Sequence, residues 1–265
     1  MATENATAPI VPSAVTHVAV QASKKESSKK EWLGLTEFKR EFTNKGQPPE
    51  KTQSTLKFDW YPAGPVSLLR LQLAFPDENQ EDATVFTFFH PRLGDLKTRT
   101  GFRSVRVSGH SLATFVEFTF PTAKPPDLGQ QKYQVMPGAR LAIGRINSRG
   151  TRFDAQITHT VSVAGDASAK DINKTNVELS LKRTWHEESY VSAKLKPVVD
   201  WEKAAYTGAS AELKGSVNLS ARWSTWLMYG VGLWNRDATG LFHGKIGFGF
   251  VREIGRIRIP IAAEE

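Results

Sequence analysis

The chain has 265 residues, with 35 Lys and Arg against 27 Asp and Glu and a formal net charge of +8. That length allows one large β domain or two smaller ones. It contains no Cys, which excludes disulfide frameworks, thiolate zinc sites, thiol nucleophiles and iron–sulfur clusters. No run approaches the roughly 18 apolar residues of a membrane-spanning helix.

Residues 1–52 differ in composition from the rest. They run through Ala, Thr, Ser and Pro to KKESSKK, too polar to bury a core, and predict a disordered arm. Within it, Trp32, Leu35, Phe38 and Phe42 recur at three- and four-residue steps, which predicts a short amphipathic helix. Its cations Lys29, Lys30, Lys39 and Arg40 fit a solvated face or contact with anionic lipid. The opening MATENATAPIVPSAVTHVAV lacks the basic start and compact apolar stretch of a secretory leader, so export of this chain implies a signal peptide already removed.

From Ser54 onward the period becomes two. Leu69, Leu71, Leu73 and Phe75 oppose Arg70 and Gln72, and Leu112, Val116, Phe118 and Phe120 oppose Glu117 and Thr119. Val177, Leu179 and Leu181 oppose Glu178, Ser180 and Lys182, and Val191, Ala193, Leu195 and Val199 oppose Ser192, Lys194, Lys196 and Asp200. Ala211, Leu213, Val217 and Leu219 oppose Glu212, Lys214, Ser216 and Asn218, and Phe242, Ile246, Phe248 and Phe250 oppose His243 and Lys245. The connections alternate long and short: Pro76 to Arg92 then SGHS, Pro121 to Gln131 then INSRGT, Gly165 to Lys174 then HEE.

Strands this long, joined by turns at one end and polar loops at the other, predict an all-β fold, an up-and-down antiparallel transmembrane barrel of about 12 strands. It occupies 53–254 and leaves a tail at 255–265. Trp60, Tyr61, Trp185, Tyr190, Trp201, Tyr206, Trp223 and Trp234 fall at or near strand ends, as interfacial girdles would place them.

If the apolar face meets lipid, the polar face lines a lumen. Its expected residues are Arg70, Glu117, Glu178, Lys182, Lys194, Lys196, Asp200, Glu212, Lys214 and Lys245. Cations outnumber anions there, which predicts a weak anion preference, shifted toward cations by Lys194→Glu with Lys196→Glu. Neighbouring opposite charges fit a structural ladder or a selectivity device equally.

Several short stretches then carry a family resemblance: HPRLGDLKTR with Leu93-Gly94-Asp95, FPTAKPPDLGQQKYQVMPG, and VSVAGDASAKDIN. Together they resemble the bacterial outer-membrane barrels labelled MetA-pathway of phenol degradation, a transporter-type family also called neuromedin U-like. That family pairs a GLGDL strand with a PTA loop, an LGxGK(W/Y)Q segment, a Gly-Pro pair and an AGD loop. Pro121-Thr122-Ala123, Leu128-Gly129, Lys132-Tyr133-Gln134 and Gly165-Asp166 keep those features over about 51–250. Gln130 and Gln131 replace small residues, Met136-Pro137-Gly138 replaces the Gly-Pro pair, and RIRIPIAAEE follows the last strand in place of a terminal aromatic. The resemblance implies a Gram-negative outer-membrane channel or transporter for hydrophobic or aromatic compounds. From the residues themselves, Gly94 and Asp95 suit a tight approach and backbone N–H acceptance beside the long loop. Asp166, Asp171 and Asn173 lack the spacing of a cation loop and fit a solvated one.

Other classes fit less well. The six His, at 17, 90, 110, 159, 186 and 243, have no metal-ligand spacing. No nucleophile elbow, P-loop or dinucleotide fingerprint occurs, so no catalytic set, metal or cofactor is expected. The cations alternate with apolar residues within strands and form no stripe with base-stacking aromatics, so nucleic acid is not an expected partner. Membrane lipid and small solutes are; the oligomeric state is open. Two alternatives stay open as well: an outer-membrane enzyme acting on lipids, and a soluble ligand-binding barrel. Parity does not say which face is inside, although soluble barrels of the lipocalin type have eight strands.

Overall fold

A computed structural model of the chain describes residues 30–44, 51–62, 64–77, 92–107, 110–123, 129–145, 150–185, 189–236 and 241–259. The strands are β1 (Lys30–Thr43), β2 (Lys51–Tyr61), β3 (Val66–Pro76), β4 (Leu96–Phe102), β5 (Val105–Val107), β6 (His110–Phe120) and β7 (Lys132–Arg145). There follow β8 (Thr151–Gly165), β9 (Asn173–Thr184), β10 (Tyr190–Asp200), β11 (Tyr206–Ser220), β12 (Trp223–Trp234) and β13 (Gly244–Ile259). Apart from β4 and β5, each pairs antiparallel with its sequence neighbours, and the first pairs with the last, Phe38 opposite Phe250 and Thr43 opposite Lys245. β4 and β5 are two segments at one strand position, both paired with β6, so the sheet closes as a barrel of 12 strands. Closure removes the unpaired edges that an open sheet would expose.

The N-terminal expectation needs correction. Lys30–Thr43 is strand β1, not a helix within an arm, and it completes the barrel by joining β2 to β13. The barrel therefore starts upstream of residue 53, and the last strand runs through Ile259, past the expected end at 254. The arm over 1–29 and the tail beyond 259 lie outside the described residues.

The strand ends at Thr43, Lys51, Pro76, Leu96, Phe120, Lys132, Gly165, Asn173, Asp200, Tyr206, Trp234 and Gly244 lie together at one end of the barrel, the loop end. The strand ends at Tyr61, Val66, Arg145, Thr151, Thr184, Tyr190, Ser220 and Trp223 lie at the other, where β1 begins and β13 finishes. In outer-membrane barrels the short turns face the periplasm and the longer loops face outward.

Burial decides which face is inside. Leu227 is 64% exposed, Leu219 59% and Leu213 56%, whereas Asp200 is 2% exposed, Asp59 3% and Glu212 6%. The apolar parity points out and the charged parity points in, the reverse of a soluble lipocalin-type barrel, which fills its interior with apolar side chains. An outer band of this kind is stable only against another apolar phase. Trp185, Trp201, Trp223 and Trp234 are exposed at the strand ends, as girdle residues would be. Tyr190 instead lies on the inward parity, beneath the Lys182 ammonium, 3.9 Å from its ring centroid.

Candidate functional site: a charged barrel interior

The site is built by alternation along each strand. Even positions of β9, β10 and β11 point inward, and their register sets Lys194 opposite both Ser180 and Glu212. From these positions a ladder of alternating charge runs round the wall. Lys194 donates to Glu178 at 2.8 Å, Lys196 reaches Glu178 at 3.7 Å and Glu212 at 2.6 Å, and Lys245 reaches Glu212 at 3.8 Å and Glu41 at 2.7 Å. Lys39 closes it on Glu41 at 2.5 Å.

The step from β13 to β11 crosses β12 at Gly230, which faces Lys245 on one side and Glu212 on the other. A Cβ there would stand 3.0 Å from the Phe242 ring and 3.1 Å from the Glu212 Cγ, so glycine leaves the gap through which the two charges meet.

Two arginine pairs stand beyond the ladder. Arg70 grips Asp59 through two bonds of 2.7 and 2.8 Å, and Arg99 donates twice to Glu117 at 2.9 and 2.7 Å while lying 4.4 Å from the Phe115 ring centroid. Asp154 holds Arg152 at 2.6 Å and Arg140 at 3.1 Å. Fixed bidentate geometry and shared partners of this sort offset the cost of withdrawing charge from bulk water.

Trp226 lies across the inner wall. Its indole lies over Gly249, where a Cβ would stand 2.6 Å from the ring, and its Nε1 donates to Glu37 on β1 at 2.9 Å. Lys57 pairs with the same Glu37. The Lys214 ammonium sits 4.0 Å from the Trp226 ring centroid.

All ten residues expected from the sequence thus share the inward parity, and most join in pairs. Glu178, Lys194, Lys196, Glu212 and Lys245 form the ladder, while Arg70 and Glu117 join separate arginine pairs. Lys182 and Lys214 lie on aromatic rings. Asp200 stands at the loop end opposite Lys174. There the two residues line a cavity of about 770 Å³ with Gln130, Gln131, Lys170, Glu202 and Lys203.

Sequence reasoning missed Glu37, Lys39, Glu41, Lys57, Asp59, Arg99, Arg140, Arg152 and Asp154. The signal was present in KFDW, where Lys57 and Asp59 alternate with Phe58 and Trp60, and in EFKREF, where Glu37, Lys39 and Glu41 alternate with Phe38, Arg40 and Phe42.

The motif residues meet at the loop end. The Thr122 hydroxyl donates to the Gly94 carbonyl at 2.9 Å and accepts the Leu96 N–H at 3.0 Å, and Asp95 accepts the Gln130 N–H at 2.7 Å. Asp166 N–H donates to the Gln131 carbonyl at 3.0 Å, and Lys132 pairs with Asp171 at 3.1 Å. Asp166 is held below the ordinary carboxylate range by the Ser168 backbone N–H and hydroxyl, and Asp171 by the Lys132 ammonium and Ser162 hydroxyl. Their partners come from the protein, which matches a structured loop better than a cation site, and among the described residues no group of three His, Asp or Glu could hold a metal ion.

Gly129 is fixed sterically, since a Cβ there would press on Asp95 and stand 2.5 Å from the Ala123 Cβ. Gly129→Ala is therefore expected to push Gln130 off Asp95 and cost about 1–3 kcal/mol locally. Limited proteolysis should cut the 121–131 loop faster, while the gel shift of the folded barrel stays intact.

No protein-family model matches the chain, and no curated protein matches it in sequence. Its fold is similar to solved outer-membrane barrels. With an outer-membrane channel from Pseudomonas putida F1 it shares 11% identity at a TM-score of 0.59, covering 88% of this chain and 98% of that one. With the NanC porin the values are 7% and 0.58, over 84% and 100% of the two chains. With the KdgM porin, in complex with disordered oligogalacturonate, they are 7% and 0.57, over 83% and 99%.

Proposed function

We infer that the protein is an outer-membrane channel that passes small solutes through the barrel, with a preference for anions. The observation that carries this reading is the inverted polarity of a closed barrel, apolar outside and charged within. Likeness of fold to the Pseudomonas putida channel and to NanC and KdgM supports it.

The anion preference follows from the wall. Glu178, Glu212 and Glu41 are each shared by two lysines, and Asp154 by two arginines, so positive charge is in excess along the path. Fixed charge of one sign in a narrow pore raises the local concentration of counter-ions.

Membership in the phenol-degradation type of barrel belongs to the same reading, supported by the clasp in which its motif residues meet. It favours solutes with an aromatic or apolar body, and the wall favours those that carry negative charge. Aromatic carboxylates satisfy both. The test is the reversal potential in a salt gradient across a planar bilayer. The expected sign is that of anion selectivity, and a cation-selective sign contradicts the reading.

A further inference from the structure

We propose that Lys214, standing on Trp226, is the anion-binding residue of the inner wall and takes a carboxylate or phosphate group from a passing solute. This rests on the channel reading and names the place within it where selectivity arises. The other lysines of the ladder are each bonded to carboxylates, at 2.8 Å for Lys194, 2.6 Å for Lys196 and 2.7 Å for Lys245. Lys214 differs. Among the described residues it forms no ion pair, and its described partner is the Trp226 ring at 4.0 Å.

The charges surrounding Lys214 are mostly of its own sign. Among the charges that act on Lys214, Glu37 is of opposite sign, and Lys194, Lys57 and Lys39 are of its own. Glu37 is already engaged by Lys57 and by the Trp226 Nε1. Beside Lys214 in register, on β10, lies Ser192, a short uncharged side chain.

An ammonium on an aromatic face is held less strongly than one donating to an oxyanion. An entering oxyanion therefore draws Lys214 from the ring and gains the remaining positive field of the wall. The indole acts as a resting place that keeps the cation extended and available, where a carboxylate partner would neutralise it.

Because Lys214 lies on Trp226, binding has an optical readout that needs no open pore. Detergent-folded protein is titrated with sodium phosphate at constant ionic strength and its tryptophan fluorescence followed. Wild type should give a saturable change that Trp226→Phe lacks, that Lys214→Gln weakens at least about tenfold, as loss of a charge-assisted bond would, and that Lys214→Arg retains. Ser192→Asp supplies a carboxylate beside Lys214 and should abolish the response, so the test stands even if Lys214→Gln fails to fold. No saturable change in wild type, or an unweakened one in Lys214→Gln or Ser192→Asp, overturns the proposal. Conductance steps without a phosphate response overturn the site and leave the channel standing; a phosphate response without steps does the reverse.

Discussion

Replacing Lys194 and Lys196 together by Gln is expected to turn the channel from anion to cation preference, read as a change of sign in the reversal potential. Glu178 has both of its ammonium partners in these two residues, and Glu212 would keep only Lys245 at 3.8 Å. The substitution thus removes two positive charges and also uncovers one carboxylate completely and a second in large part. It costs stability as well. Two charge-assisted bonds are lost, at about 1.5–3 kcal/mol each before any relief from water in the lumen. Lys194→Glu with Lys196→Glu has the same direction but sets four carboxylates side by side at 178, 194, 196 and 212, so the Gln pair is the cleaner variant. An unchanged sign would mean that these side chains do not border the conducting path.

Leu227→Arg is expected to destabilise the barrel by about 2–4 kcal/mol in lipid vesicles, whereas Leu219→Arg should cost no more than about 1 kcal/mol. Both leucines are exposed, Leu227 at 64% and Leu219 at 59%. They differ in depth. Leu227 lies well inside β12, whereas Leu219 is the residue before the end of β11. In lipid, the cost of a guanidinium depends on its distance from the interface. In water, both exposed substitutions would be nearly neutral. Urea unfolding from vesicles measures the difference, and equal, near-zero values would remove the lipid from the account.

The long strands and their alternation were legible because a barrel wall imposes period two with little exception. Which parity faces inward was not. The same pattern builds a soluble barrel turned the other way round, and only the closed sheet, with Asp59 and Glu212 buried and Leu213 exposed, distinguishes them. The first strand was misread because Arg40 interrupts its apolar parity, bonded to Ser54 at 2.8 Å and to Asp77. With that position polar, Trp32, Leu35, Phe38 and Phe42 matched helical spacing by coincidence. The glycine at 230 that joins Lys245 to Glu212, and the glycine at 249 that accommodates Trp226, depend on partners on the neighbouring strands, which no local pattern announces. The loop motifs were visible as sequence, but that Thr122 bonds to Gly94 and Leu96, and Asp95 to Gln130, at one end of the barrel is a property of the fold.

The most direct test of the central claim is single-channel recording in a planar bilayer, using protein whose folding is verified by a shift in gel mobility on boiling. The account predicts discrete conductance steps with an anion-selective reversal potential. A chain that stays soluble and monomeric without detergent, or a folded barrel that inserts and never conducts, would contradict it.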